Sequence, residues 1–596
     1  MIKDRLDSLR QVMKEKKIDY YLVPTEDPHG SEYVGEYYKC REYLTGFTGS
    51  AGTALIWQEG AGLWTDARYH IQADRQLCGS GVTLFKEGEE KVPSLYQFLE
   101  KNLQEGQCLA ADGSLISAEA AQRLQEIAAA KGALLKSCDD LTKEIWTDRP
   151  DRSAEAITLL SPESSGKSTG EKLTVIRRRM EEKGADLLLL SSLDEIGWLF
   201  NIRGKDIPMS LLALAYGVVE RESAVLYLQK RIWNEQLLAW AAKNQIEVND
   251  YDMIYLDLSR RAQGKRVWAD RERVNWKLFT LLQKAEGVID EISPVEMGKA
   301  IKNETEQKNF RRAHEKDAAA VIRFLFWLKT HVGKEDITEI RAAQKLEEFR
   351  REWDSYLLPS FEPIVAYGEH AAIVHYSADT SSDCLLRPEG FLLMDTGGQY
   401  REGTTDITRT VALGPLTRRQ KEGYTRVLMG NLRLAGLTFP YGCSGENLDL
   451  AARSALWEEG LDFFHGTGHG VGYLMNVHEG PQAIRWRHRK GSFVTALEPG
   501  MVISDEPGLY LEGEYGIRLE NLLLCREKEK TSFGRFLAWE VLTLVPFDRE
   551  AILPEIMEKR DVRLLNDYHS TVRRKMLPLM KTKAEKDWLL EATEPL

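Results

Sequence analysis

The chain has 596 residues, 43% of them hydrophobic, and a formal net charge of −12. That length exceeds what one hydrophobic core organises, so roughly two to four domains are expected. The acidic balance disfavours nucleic acid as a general partner. No uninterrupted apolar stretch reaches the ~18 residues of a membrane span, so a globular protein with no membrane partner is expected. The opening segment, MIKDRLDSLRQVMKEKK, is charged throughout and has no apolar core of a signal peptide. Seven cysteines without a CxxC pair argue against a disulfide framework and favour a reducing, cytoplasmic compartment.

In chain order, the first half carries two weak copies of one pattern. Leu6, Leu9 and Met13 precede the run Asp19-Tyr20-Tyr21-Leu22-Val23, and Leu173, Ile176 and Met180 precede Asp186-Leu187-Leu188-Leu189-Leu190, at a constant offset of 167 residues. Each copy predicts an amphipathic helix followed by a buried strand. Helix-then-strand is common enough to arise by coincidence, but the constant offset favours a duplicated domain. Polar, turn-rich stretches at 148–152 and 161–166 mark a linker. A second boundary is placed near Ser293-Pro294, beyond which a long helical pattern begins. The resulting domains are 1–150, 151–295 and 296–596.

The last domain carries the chemistry. Phe391-Leu392-Leu393-Met394 reads as a buried strand that ends in Asp395, and Asp406 opens a second strand, Ile407 to Val411. With Gly397-Gly398 between them, the pair predicts a hairpin whose two carboxylates face one pocket. Glu506 and Glu520 repeat the arrangement around Pro507-Gly508 and Gly513. With His469 these residues offer mostly hard oxygen donors, which suits Mn, Mg or Ca better than a thiolate-rich zinc site. Four ionised carboxylates balance two divalent cations, and paired metals activate water for hydrolysis. Taken singly, an Asp at a strand end is usually a turn former, and Glu506 and Glu520 read as paired surface charges.

Three further histidines, His375, His465 and His478, lie in AIVHYSA, HGTGHGVG and NVHEGP. A histidine near glycines either hydrogen-bonds the backbone or serves an oxyanion or proton transfer. His465 and His469 are four apart, but Gly466, Gly468 and Gly470 oppose a helix and fit close backbone approach. Beyond Pro546, two or three amphipathic helices are expected to pack Leu564, Leu565, Tyr568 and Trp588 on the body. His569 among them is expected to be a surface or packing residue.

Five strings in this order, LLMDTGGQY, GTTDITRT, HGTGHGVG, SDEPGLY and GIRLEN, resemble the catalytic domain of the Xaa-Pro aminopeptidases, which are pita-bread metallopeptidases. TGFTGSAGTALI, WTDARY and LDEIGWLFNIRG extend the resemblance to the long three-domain form over nearly the whole chain. The resemblance implies an α/β (α+β) protein with two creatinase-like domains ahead of a pita-bread domain. It implies that Asp395, Asp406, His469, Glu506 and Glu520 bind two divalent ions, manganese being the expected metal, with Asp406 and Glu520 bridging. It places His375, His465 and His478 in the substrate site, the first two beside the proline pocket and His478 on the scissile carbonyl. Peptides with proline second would be cut by a metal-held hydroxide, and a homodimer is implied.

In the same reading, Glu506 carries the proton to the leaving nitrogen. Arg518 orients a ligand carboxylate or is a plain strand-surface arginine. A prolidase restricted to dipeptides, a creatinase-like amidinohydrolase and a non-catalytic binding module are the alternatives, the last requiring broken ligand positions. Asn431-Leu432, Gly368-Glu369-His370 and the basic stretch 485–490 depart from the family pattern. They are expected to affect loop shape and peptide-length preference and to leave the chemistry intact.

Overall fold

Residues 1–487 and 494–596 are described by a computed structural model, which divides into two compact units. The first comprises Met1–Pro162 and Lys167–Glu296; the second comprises Glu163–Gly166 and Met297–Leu596. The basic residues His488, Arg489 and Lys490 lie outside the described residues. Among the described residues no helix is long and apolar enough to cross a membrane.

The duplication expected in the first unit is present and extends to topology. The helix Ile2–Glu15 buries Leu6, Leu9 and Met13, and the helix Thr169–Lys183 buries the equivalent Leu173, Ile176 and Met180. Each helix precedes the central strand of a six-stranded sheet, Tyr20–Pro24 in one copy and Leu187–Leu190 in the other. In both sheets this strand has an antiparallel neighbour on one side and a parallel neighbour on the other. The matching strand order outward from it makes the two sheets copies of one plan.

The second unit sets antiparallel strands against helices. Its first long helix, Glu304–His331, starts at Asn303, whose side chain accepts from the Thr305 and Glu306 N–H groups while Glu306 accepts from the Asn303 N–H. Such reciprocal capping satisfies donors that the first turn leaves open. Phe310, Ile322, Phe324 and Leu328 on this helix are fully buried. At the other end of the chain, the helices Lys559–Met576 and Lys583–Ala592 follow, as expected beyond Pro546. Leu565 is fully buried, and Leu564, Tyr568 and Trp588 pack partly buried against the same cores.

Two sheets position the candidate site. Ile364–Tyr367, Phe391–Thr396 and Ile407–Ala412 form one antiparallel sheet, with Asp395 opposite Thr408. In a six-stranded sheet of the second unit, Val502–Asp505 pairs with Asn521–Thr531, with Asp505 opposite Asn521. The two expected pairs of neighbouring strands are therefore present, but neither is a simple hairpin. Each connection leaves its sheet to build a separate ribbon, Gly398–Tyr400 with Gly403–Thr404 in one and Gly508–Leu511 with Tyr515–Arg518 in the other. At Gly397 the chain departs past Thr405 so closely that a Cβ would lie 2.1 Å from the Thr405 carbonyl oxygen.

Candidate metal centre and substrate site

Strand ends gather the five proposed ligands. Asp395 is the penultimate residue of its strand, Asp406 immediately precedes the next, and Glu506 and Glu520 flank the paired strands of the second sheet. His469 is the middle residue of the short strand Gly468–Gly470, which pairs with Val502–Asp505. One donor atom from each of Asp406, His469 and Glu520 lies within 4.8 Å of the others. His469 Nε2 stands 3.5 Å from Asp406 Oδ2 and 3.4 Å from Glu506 Oε1.

Neighbouring side chains fix these groups. Ser504 Oγ donates to Glu506 Oε1 at 3.1 Å and accepts from the His469 N–H at 2.9 Å. Thr408 Oγ1 donates to Glu520 Oε2 at 2.9 Å. Arg518 is 2% exposed and grips Asp395 Oδ2 through Nη2 at 2.6 Å and Nε at 3.1 Å. Arg518 is thus buried and bonded to a carboxylate, a placement that fits the first of its two readings. Its Nη1 donates to the Tyr510 hydroxyl at 2.8 Å, and the same hydroxyl lies 2.8 Å from His465 Nε2.

Electrostatics mark the cluster as built for cations. Burial holds the Asp395, Glu506 and Glu520 carboxyls above their usual range, and mutual repulsion with the neighbouring carboxylates adds to it. Arg518 opposes that rise at Asp395 and Glu506. Burial works against charge on His469, but the Asp406 and Glu506 carboxylates outweigh it and lift the imidazole to about 9. Asp395 Oδ1 is buried without a hydrogen-bond partner. Desolvated carboxylates around one guanidinium are costly unless cations join them. Their hard oxygens, with one imidazole, fit divalent metal ions.

The three accessory histidines border this cluster unequally. The His478 ring packs edge-on against His469, centroids 4.3 Å apart. His465 reaches it through Tyr510 and Arg518. His375 follows Val374, whose carbonyl accepts from Arg518 Nη2 at 3.3 Å. Of the two glycines between His465 and His469, Gly468 is the one at a close backbone approach: a Cβ on it would lie 1.9 Å from the Ser504 carbonyl oxygen, against 3.5 Å to the nearest atom at Gly466.

Several supporting residues escaped the sequence reading. Thr408, Ser504 and Tyr510 lie inside the quoted strings GTTDITRT and SDEPGLY, so their signal was proximity to the ligands. Asn431 had none. It was expected to affect loop shape and peptide-length preference, yet it is fully buried, and its Nδ2 donates to the Asp505 carbonyl at 2.8 Å and the Leu519 carbonyl at 3.2 Å. These are the residues just before Glu506 and Glu520, so one helix-borne amide ties both glutamate segments together.

Comparison with known proteins agrees with this architecture. Residues 308–527 match the model of metallopeptidase family M24, and residues 535–596 match its C-terminal region. Residues 5–146 and 148–306 each match a creatinase/prolidase N-terminal domain. A probable Xaa-Pro aminopeptidase P of Neurospora crassa is 38% identical, over 99% of this chain and 89% of its own length. Another from Botryotinia fuckeliana is also 38% identical, over 100% of this chain and 93% of its own. The crystal structure of X-prolyl aminopeptidase from Caenorhabditis elegans, described as a cytosolic enzyme with a di-nuclear active site, superposes with a TM-score of 0.94 at 32% identity, covering 100% of both chains. An Xaa-Pro dipeptidase from Bacillus anthracis reaches a TM-score of 0.51 at 26% identity and covers only 64% of this chain. With its paired creatinase-type domains, its M24 domain and full-length relatives at this level of identity, the chain belongs to the Xaa-Pro aminopeptidase P family of M24 metallopeptidases.

Proposed function

We propose that this protein is a dimetal aminopeptidase that releases the first residue from peptides with proline at position two. The observation that carries the proposal is the convergence of Asp395, Asp406, His469, Glu506 and Glu520 in a chain that superposes end to end on the C. elegans X-prolyl aminopeptidase. Asp406 and Glu520 would be shared by two ions, Asp395 would serve one, and His469 with Glu506 the other. Manganese is the metal we favour, on the oxygen-rich donor set. When bound, the ions supply a water acidic enough to attack a carbonyl near neutral pH.

The protein's own groups then divide the remaining work. Arg518 holds Asp395 in place, and Ser504 fixes Glu506 Oε1. Glu506, held by Ser504 beside His469, would take a proton from the attacking water and pass it to the leaving nitrogen. That nitrogen belongs to proline, which carries no hydrogen in the peptide and must gain one to depart. His478, packed against His469, would donate to the oxyanion that develops on the scissile carbonyl. His375 and His465 would border the proline ring.

The domains proposed are 1–150, 151–295 and 296–596, in keeping with the extents of the family matches. We place the enzyme in the cytoplasm as a homodimer. The description of the C. elegans protein as cytosolic supports the first, and family resemblance the second. A dipeptide-only prolidase is the competing activity. Comparison of Ala-Pro-Ala, Ala-Ala-Ala and Ala-Pro, before and after chelation and with manganese restored, separates them. Metal-dependent cleavage of Ala-Pro-Ala with Ala-Ala-Ala nearly inert is expected. Equal rates on the two tripeptides would remove proline specificity, and strong preference for Ala-Pro would make the enzyme a prolidase.

A further inference from the structure

Outside the metal cluster, a second set of titratable side chains surrounds Glu339, at the start of the helix Glu339–Arg350. The Glu339 side chain is fully buried, and both of its oxygens are engaged. Oε1 accepts from the Tyr367 N–H at 2.7 Å, and Oε2 accepts from the Tyr376 hydroxyl at 2.8 Å. His370 Nδ1 lies 2.9 Å from Oε1 and 3.1 Å from Oε2, and its ring stacks on Tyr376 at 4.6 Å. All three partners sit on the segment that leaves the strand Ile364–Tyr367 and carries His375.

The other face of that segment meets the metal side of the site. A Cβ on Gly516 would lie 1.7 Å from the Ala371 carbonyl oxygen, so the ribbon Tyr515–Arg518 packs against the turn backbone to backbone. Arg518, which grips Asp395, also donates to the carbonyl of Val374. His375 is thus held on one side through its predecessor by Arg518 and on the other through its successor, Tyr376, by Glu339.

We infer that Glu339 is a positioning residue for substrate binding: its carboxylate anchors residues 367–376 and so fixes where His375 stands beside the proline pocket. The inference rests on the reading of His375 given under Proposed function. Glu339, His370 and Cys384 also bring together oxygen, nitrogen and sulfur donors, as a cation site would. The bonds already made by both Glu339 oxygens favour the anchor, and burial, with Glu339 beside it, pushes the Cys384 thiol up to about 12. Loss of one tie to a buried charged acceptor, by displacing the loop, is expected to weaken substrate binding about tenfold.

The test uses the metal-loaded full chain with Tyr376→Phe, His370→Ala and Glu339→Gln. Tyr376→Phe removes one donor without emptying volume, so it reports even if Glu339→Gln folds poorly. The expected result is a KM for Ala-Pro-Ala raised about tenfold, kcat and metal content near the parent, and faster amide hydrogen exchange confined to residues 368–384. In a His375→Ala background, Tyr376→Phe should add almost nothing. Multiplicative effects in that double variant, or faster exchange with an unchanged KM, would overturn the inference. So would loss of one bound zinc equivalent on Cys384→Ala during titration with zinc alone, which would make the cluster a cation site. A parent-like KM in His375→Ala alone would overturn it through the pocket reading, and the exchange data would then show separately whether Glu339 anchors the segment.

Discussion

At the scale of single residues, the metal cluster is a set of proton acceptors as much as a set of ligands. Carboxylates and imidazole must give up protons before they coordinate a cation. In the metal-free protein His469 titrates at about 9, because Asp406 and Glu506 prevail over burial. Burial raises Asp395, Glu506 and Glu520 as well. Every one of these shifts keeps protons on the site to higher pH than in a free side chain, so metal entry expels them and affinity climbs with pH. Each proton released strengthens binding about tenfold per pH unit. Metal affinity of the stripped protein, measured by competition with a chelating dye, should rise at least about tenfold per unit between about pH 6 and 8. A flat profile would mean that His469 is already neutral there and that its carboxylate neighbours do not hold its proton.

At the scale of elements, the site depends on how closely three strands approach. Gly468 shows this most sharply, because an added Cβ would lie 1.9 Å from the Ser504 carbonyl oxygen, while at Gly466 the nearest atom is 3.5 Å away. Gly468→Ala must push the His469 strand away from Val502–Asp505, and so part His469 from Glu506. Overpacking of this kind costs about 1–3 kcal/mol, and an ångström of misplacement costs about a hundredfold in rate. We expect Gly468→Ala to lose metal and at least about a hundredfold of activity, and Gly466→Ala to keep the parent's thermal stability. Thermal melts and metal analysis of the two variants check this. Parent-like metal content in Gly468→Ala would show that the strands have slack.

The same elements show what the sequence could and could not disclose. Asp395, Asp406, Glu506 and Glu520 lie at the ends of runs that read locally as strands, but only the order of the five strings that carry the family resemblance joined them into one ligand set. The ribbons between the paired strands were not legible, because strand register and departure are settled by contacts across the fold, such as Gly397 against Thr405. Asn431 and His370 stood out only as unfamiliar residues, and each acts through partners distant in sequence. The duplicated first unit was legible because both copies kept the same buried helix face, Leu6, Leu9 and Met13 against Leu173, Ile176 and Met180.

At the scale of the molecule, His569 and the carboxylates of the metal site push stability against pH in opposite directions. His569 was expected to be a packing or surface residue, and it packs: it is 1% exposed, and its Nε2 accepts from the Phe547 N–H at 3.1 Å. Burial, aided by Arg409, Arg549 and Arg573, lowers its pKa to about 3. An unfolded histidine takes up a proton near pH 6.5. Below that value the unfolded chain binds a proton that the native chain refuses, so stability is complete above about pH 6.5 and declines toward about pH 3 at up to about 1.4 kcal/mol per unit. The raised carboxylates of the metal site act the other way, since in the stripped protein they take up protons more readily folded than unfolded. Metal loading removes that contribution by occupying them. Unfolding of the C-terminal unit in the loaded protein should therefore weaken by about 2 kcal/mol from His569 alone between about pH 6.5 and 5. His569→Gln, which keeps an acceptor for Phe547 and has no titrating group, should flatten that decline by the same amount. Denaturant titrations of both proteins at matched metal occupancy measure the difference, and parallel profiles would show that His569 takes up its proton in the native state.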